Sequence, residues 1–202
     1  MKVIPVQQGT EEWLRARAGI PTASEFDRIV TSGGKPSAQS RQYLCRLVAE
    51  RVIGLSMEDP NEWMQRGSAI EREAVAWYEL ERGLTTTEVG FVTTDDGRWG
   101  CSPDRMVGND GLLEVKCPAA ATHIRYLLDG GPGLAYRPQT QGQMLVAGRR
   151  WVDFVSYCPG LPPLLVRLLP DDDYQEVLQD SLVTFSSDLD DAEKLVRNGG
   201  HR

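Results

Sequence analysis

Residues 101–117 restrict this chain's fold more than any other stretch. Cys101-Ser102-Pro103-Asp104 and the run Leu112-Leu113-Glu114-Val115-Lys116-Cys117 flank Asn109-Asp110-Gly111. Asn, Asp and Gly tolerate positive φ, so the spacing predicts a hairpin. Side chains alternate along a strand, which puts Glu114 and Lys116 on one face and Leu113, Val115 and Cys117 on the other. The hairpin then returns Asp104 beside Glu114. Two hard oxygen ligands and one ammonium at one spot suit Mg2+-assisted attack of water on a phosphodiester. Taken alone, the same pattern also describes a turn carboxylate and a strand salt bridge.

The 202 residues fit one domain, 1–202, with a sizeable core. No apolar run approaches a membrane span and the N-terminus lacks a signal-peptide core, so a cytoplasmic protein is expected. The four cysteines, Cys45, Cys101, Cys117 and Cys158, form no CxxC pair and read as reduced, mostly buried thiols. With only His123 and His201, a histidine metal site or a Ser-His-Asp triad is nearly excluded. His123 reads as an ordinary polar residue on a helix after Pro118.

A net charge of −7 looks wrong for a protein that handles DNA, but the charge is uneven. The segment 170–202 holds nine acids and three bases, whereas residues 1–52 hold five acids and eight bases. A basic surface can therefore still be presented locally. Of the 22 basic residues 18 are arginine, the better shape for bidentate phosphate contacts, although GC-rich codon usage produces the same bias.

Helices are expected at 10–18 and, after the capping box Thr22-Ala23-Ser24-Glu25, through Val30. Next come a flexible loop at 31–37 and helices at 38–53 and 61–82. Leu44, Leu47, Val48 and Val52 mark the inner face of the first of these two, and Ile70, Ala74, Trp77 and Tyr78 that of the second. Strand signals fall at about 86–93, 98–102, 112–117, 151–157 and 164–169. Helices are expected at 119–129 and 135–147, and an acidic terminal helix over 171–197. The order predicts an α/β or α+β three-layer core, a central mixed but mostly antiparallel sheet flanked by helices.

Three further groups stand out. Glu71 has Gly67, Ser68, Ala74 and Val75 as helical neighbours, none of them cationic, so a helical ion pair does not explain it. A metal, a tertiary arginine or plain exposure does. Gln139 and Gln143 share one helical face, with Tyr136 near them. Arg17 and Ser24 flank Gly19-Ile20-Pro21 at a capped helix start, a natural place for a phosphate, although taken alone a cap beside a surface arginine is commoner.

Together these pieces resemble the phage lambda exonuclease family, the YqaJ-type viral alkaline exonucleases of the PD-(D/E)xK nuclease superfamily. The matching segments are RAGIPTASEF (17–26), RGSAIEREAVAWYE (66–79), GCSPDRMV (100–107), LLEVKCP (112–118) and YRPQTQGQMLVAGRRWVDFVSY (136–157). The resemblance implies a restriction-endonuclease-like core and a 5′→3′ exonuclease on linear double-stranded DNA that leaves 3′ overhangs for recombination by strand annealing. It implies metal ligation by Asp104, Glu114, the Val115 carbonyl and Glu71, with Lys116 as the catalytic lysine. Arg17, Ser24, Ser102 and Gln139 match positions that contact the 5′-phosphate or the scissile region. It further implies two Mg2+ ions, with Mn2+ as a substitute, a ring-shaped homotrimer around DNA, a single-strand annealing protein as partner, and a phage or prophage origin in a bacterial host. Residues 158–202, which include the acidic segment 170–202, match weakly.

Two other readings compete. One is a different PD-(D/E)xK nuclease, such as a restriction-type endonuclease; a Cas4-like nuclease would carry an iron–sulfur cysteine cluster. The other is a catalytically inactive DNA-binding relative, which would have no need of Asp104, Glu114 and Lys116 together.

Overall fold

Residues 1–57 and 69–200 are described by a computed structural model. Along the chain run β1 (Lys2–Ile4), α1 (Glu11–Arg17), a 3-10 helix (Ala23–Arg28), α2 (Ser40–Ile53), α3 (Ala69–Arg82), β2 (Phe91–Thr93), β3 (Gly100–Cys101), β4 (Arg105–Val107) and β5 (Gly111–Lys116). There follow α4 (Ala120–Asp129), α5 (Arg137–Ala147), β6 (Trp151–Ser156), β7 (Leu164–Leu168) and α6 (Asp172–Arg197).

The expected hairpin forms between β4 and β5, with Arg105 opposite Leu113 and Val107 opposite Gly111. Its turn differs from expectation. Among the described residues only glycines have positive φ, and here Gly108, at φ 55°, takes the left-handed position rather than Asn109 or Asp110. Gly111 is needed for space: a Cβ there would lie 2.1 Å from Cη2 of Trp151 on the adjacent strand.

β5 pairs in parallel with β6, and β6 antiparallel with β7, so the central sheet is mixed. A parallel pair needs a long crossover, which α4 and α5 supply. A second, smaller sheet of β1, β2 and β3 lies beside it. Three-residue β1 gave no sequence signal, because it is short and its burial is slight.

The two faces of β5 serve different cores. Leu113 and Val115 meet Ala74, Val75 and Tyr78 of α3. Leu112, one face over, joins Phe26, Tyr43, Leu47 and Met144 with the α6 residues Leu178, Leu182 and Phe185. The result is α3 on one side of the sheet, α4 and α5 on the other, and α2 with α6 outside α5. Burying a Leu or Phe side chain is worth ~1.5–3 kcal/mol, so these two faces hold most of the central stabilisation.

Several local expectations change. Thr22 does not cap the 3-10 helix through its side chain: its hydroxyl meets Ser24 Oγ (3.3 Å) and the Glu25 N–H goes to the Thr22 carbonyl (2.9 Å), while the Glu25 carboxylate is drawn to Arg28 (2.6 Å) and Arg46 (3.0 Å). Val52 and Ile70 are exposed; Tyr43 and Glu50 on α2 and Val75 on α3 are buried. The expected helix start near 61 lies outside the described residues. His123 is fully buried, its ring nitrogens bonded to Ser156 Oγ (2.7 Å) and the Pro162 carbonyl (3.0 Å). Only Cys101 of the four thiols is buried. The acidic helix α6 is capped by Asp171, whose side chain accepts the Tyr174 N–H at 3.1 Å. Among the described residues no helix is long and apolar enough to cross a membrane.

Candidate active site

The ladder of the hairpin explains where Asp104 sits. β4 stops at Arg105, opposite Leu113, so the Val115 N–H has no strand partner on that side. Asp104 Oδ2 accepts it at 2.6 Å. The preceding Pro103 carbonyl is held by Gln8 Nε2 at 2.9 Å, which fixes the approach of the Ser102–Asp104 segment. Asp104 is therefore positioned by the edge of the sheet rather than by its own flexible loop.

Glu114, 2% exposed, faces α5. Its Oε1 accepts Gln139 Nε2 at 2.6 Å and pairs with Lys116 Nζ at 2.6 Å; its Oε2 accepts Gln143 Nε2 at 2.6 Å. The two glutamines sit four apart on α5, which places them one turn apart on the same face. Pro138 in the first turn and left-handed Gly148 at the end set the limits of that helix. Gly142 between them lets α5 approach the 3-10 helix closely: a Cβ there would stand 2.4 Å from Phe26 Cδ2. Gln141 turns the other way, to the Leu169 carbonyl and the Asp171 N–H. The sequence placed Gln143 on the correct face but gave it no role. Its Oε1 is buried and has no hydrogen-bond partner among the described residues.

The charges are strongly coupled. Burial pushes the Asp104 carboxyl well above the usual aspartate range, Glu114 and Glu71 add to the rise, and Lys116 opposes it. Burial alone would lower the Lys116 ammonium; Glu114 and Asp104 more than reverse that and keep it protonated. The ammonium also lies 5.2 Å over the Tyr136 ring. Glu71 on α3 is raised by burial and by Glu114, against the nearby Arg105 and Lys116. A tertiary arginine is thus part of its surroundings. Arg66, Gly67 and Ser68 of the same motif lie outside the described residues.

Arg17 ends α1, is buried, and stacks 4.1 Å over the Trp13 ring. Trp13 Nε1 donates to Ser102 Oγ at 2.9 Å. One chain of contacts thus joins Arg17 to the segment that carries Asp104. Ser24 is exposed, with its hydroxyl 3.3 Å from Thr22 Oγ1. The structure thus brings together Asp104, Glu114, Lys116 and Gln139, sets Glu71 within electrostatic reach, and links Arg17 to Ser102.

Among the described residues no three His, Cys, Asp or Glu side chains gather closely enough to form a ready metal cage. The donors nevertheless suit a hard divalent cation. They are carboxylate oxygens on one strand edge whose mutual repulsion raises Asp104, and a cation between them would remove that repulsion.

The YqaJ-like viral recombinase domain matches residues 12–150. The crystal structure of an alkaline exonuclease, LHK-Exo, from Laribacter hongkongensis is similar with a TM-score of 0.83 and 34% identity, over 94% of this chain and 97% of that one. The same protein in complex with dAMP gives 0.82 and 34%, with the same coverage. A phage related exonuclease from Haemophilus somnus 129PT shares the fold at 12% identity, with a TM-score of 0.67 over 89% of this chain and 96% of that one. No curated protein sequence matches the chain. The domain match spans most of the chain, and LHK-Exo is 34% identical over 94% of it. On that ground the chain belongs to the YqaJ-like viral recombinase family, the lambda exonuclease group of deoxyribonucleases with a restriction-endonuclease-like fold.

Proposed function

We propose that this chain, as one nuclease domain, is a Mg2+-dependent 5′→3′ exonuclease on linear double-stranded DNA. The observation that carries the reading is the buried Glu114 beside the half-buried Asp104, with Lys116 as their shared cation. Asp104, Glu114, the Val115 carbonyl and Glu71 would hold the metal, two ions in the full site, with Mn2+ as a substitute. A divalent cation there supplies Lewis acidity toward a phosphodiester and its attacking water.

The chain's own residues do the rest. Lys116 orients the water and offsets charge developing on the phosphate. Gln139 and Gln143 fix the Glu114 carboxylate, and Gln139 stands beside the scissile region. Arg17, Ser24 and Ser102 receive the terminal 5′-phosphate, Arg17 being aimed by its stack on Trp13. The family resemblance supports a homotrimeric ring around DNA, a single-strand annealing protein that takes the 3′ overhang, and work in the cytoplasm of a bacterial host. A ring would let the inner face be basic while α6 leaves the outside acidic.

The test is one digestion of linear duplex labelled at each end, with Mg2+ or with a chelator, beside a closed circle. The expected result is early release of the 5′ label, an intact circle and no reaction in chelator. Nicking of the circle, or release of the 3′ label first, would reject the exonuclease polarity. A monomer by light scattering at micromolar concentration would reject the ring.

A further inference from the structure

We propose that Glu50 and Arg51 of α2, braced by the acidic helix α6, are positioning residues for the arm that carries Arg17 and Ser24. They would thereby set the preference for a terminal 5′-phosphate. The proposal rests on the exonuclease reading above.

The arm turns at Arg17-Ala18-Gly19-Ile20. Ala18 has φ −54° and ψ 126°, Gly19 has φ 73°, and the Ile20 N–H donates to the Arg17 carbonyl at 3.0 Å. That is a type II turn, whose third position demands glycine. Arg17 is both the last residue of α1 and the first of the turn, so the turn sets the direction in which its side chain leaves.

Both backbone groups of Gly19 are taken by α2. Its N–H donates to Glu50 Oε2 at 2.8 Å, and its carbonyl accepts Arg51 Nε at 2.8 Å. Contact is close enough that a Cβ on Gly19 would sit 2.3 Å from Arg51 Cγ. Glu50 is 3% exposed, and its other oxygen accepts the Met57 N–H at 2.9 Å. Two neighbours on the same helical face hold the next residues of the arm. The Thr22 N–H donates to Tyr43 Oη at 3.2 Å, and Arg46 Nη2 donates to Glu25 Oε2 at 3.0 Å. Positions 43, 46 and 50 recur at the spacing of one helix face.

Arg51 is fixed in turn by α6. Its Nη1 reaches Asp190 Oδ1 at 2.9 Å and Glu193 Oε2 at 3.2 Å, and Arg197 Nη2 donates to the Arg51 carbonyl at 2.9 Å. The segment of the chain that matches the family least thus has a stated task. Its carboxylates orient the arginine that holds the arm. A buried carboxylate spent on two backbone N–H groups is a costly way to secure a loop, whereas apolar packing would suffice for stability alone. The arrangement is directional, as a phosphate receptor has to be.

The experiment compares rates on linear duplex with 5′-phosphorylated and 5′-hydroxyl ends for the wild type, Arg17→Ala, Glu50→Gln and Arg51→Met. The expected result is that the phosphate-to-hydroxyl ratio in Glu50→Gln falls about three- to tenfold, toward the Arg17→Ala value. Arg51→Met is expected to show a smaller fall of the same kind. A folded Glu50→Gln protein, judged by circular dichroism, that keeps the wild-type ratio would overturn the proposal. Should Glu50→Gln fail to fold, an unchanged ratio in Arg51→Met would overturn it instead. Equal wild-type rates on both ends would reject the 5′-phosphate reading itself, whereas a loss in Arg17→Ala alone would reject only the positioning by Glu50 and Arg51.

Discussion

Replacing Gln143 by methionine should separate activity from stability. Methionine keeps the length and flexibility of glutamine and removes both polar atoms. Two terms oppose each other in the folded state. The substitution loses a 2.6 Å hydrogen bond from Nε2 to the Glu114 carboxylate, worth ~1.5–3 kcal/mol for a charged partner. It also removes Oε1, a buried carbonyl oxygen without a partner among the described residues, whose desolvation costs ~1–3 kcal/mol. The net change lies between a gain of about 1.5 and a loss of about 2 kcal/mol, a fall in Tm of at most ~8 °C for a chain of this size. Activity has no such compensation. Glu114 loses one of the three groups that fix its oxygens, and loss of an outer partner of a metal ligand typically costs about 10–100-fold. That corresponds to ~1.4–2.7 kcal/mol of barrier. The assay is thermal unfolding by circular dichroism beside exonuclease rates across a Mg2+ titration. A Tm loss above ~8 °C with wild-type turnover would show that the amide serves packing alone and would refute the reasoning.

Asp104→Asn should reduce nuclease activity about 100- to 1000-fold. Because burial and Glu114 penalise the Asp104 charge, its Tm in chelator should hold or rise; a clear fall would contradict the assigned repulsion. Asp153 is fully buried and bonded by Tyr78 (2.8 Å) and by Arg167 (2.7 and 2.8 Å). Burial alone would raise its carboxyl, yet Arg167 and Tyr78 hold it below the usual aspartate range. A depressed value gives stability above the unfolded pKa of ~3.9 that is lost as pH falls through the folded one. Asp153→Asn should therefore cost ~3 kcal/mol at neutral pH and flatten the unfolding profile below about pH 4; a Tm loss under ~2 °C would refute it. Gly142→Ala would place a Cβ 2.4 Å from Phe26, should cost about 2 kcal/mol, and should slow the nuclease by tilting the helix that carries Gln139 and Gln143; a wild-type Tm would contradict this.

The hairpin, the faces of β5 and most helices were legible because each follows from local alternation or helical period. Glu114 could be read as facing away from Leu113 and Val115 because strand period is strict. Gln143 was on the right helix face but silent, since a glutamine on a helix is usually only a good helix former. The Glu50 contacts were hidden for a different reason. Its partners Gly19 and Met57 are 31 and 7 residues away, and both are backbone N–H groups that leave no mark in a sequence. Glu25 could not be read either: its capping signal is local, but Arg46, a residue of another helix, competes for it. The turn at Gly108 shows the limit of dipeptide rules, as three neighbouring turn formers left the position of positive φ undetermined.

β5 carries two incompatible chemistries on alternate residues, and this limits where the length of this chain can change. Inserting or deleting one residue between Leu112 and Lys116 would turn Glu114 and Lys116 toward Ala74 and Tyr78 and send Leu113 and Val115 toward the glutamines. The chain would lose its carboxylate and bury two charges in one step. Length changes at 108–110 keep the faces of β5 and disturb only the turn and the contact of Asp110 with Arg150. Descendants of this sequence can therefore grow or shrink at the hairpin tip, whereas the six residues of β5 admit substitution but no change of count.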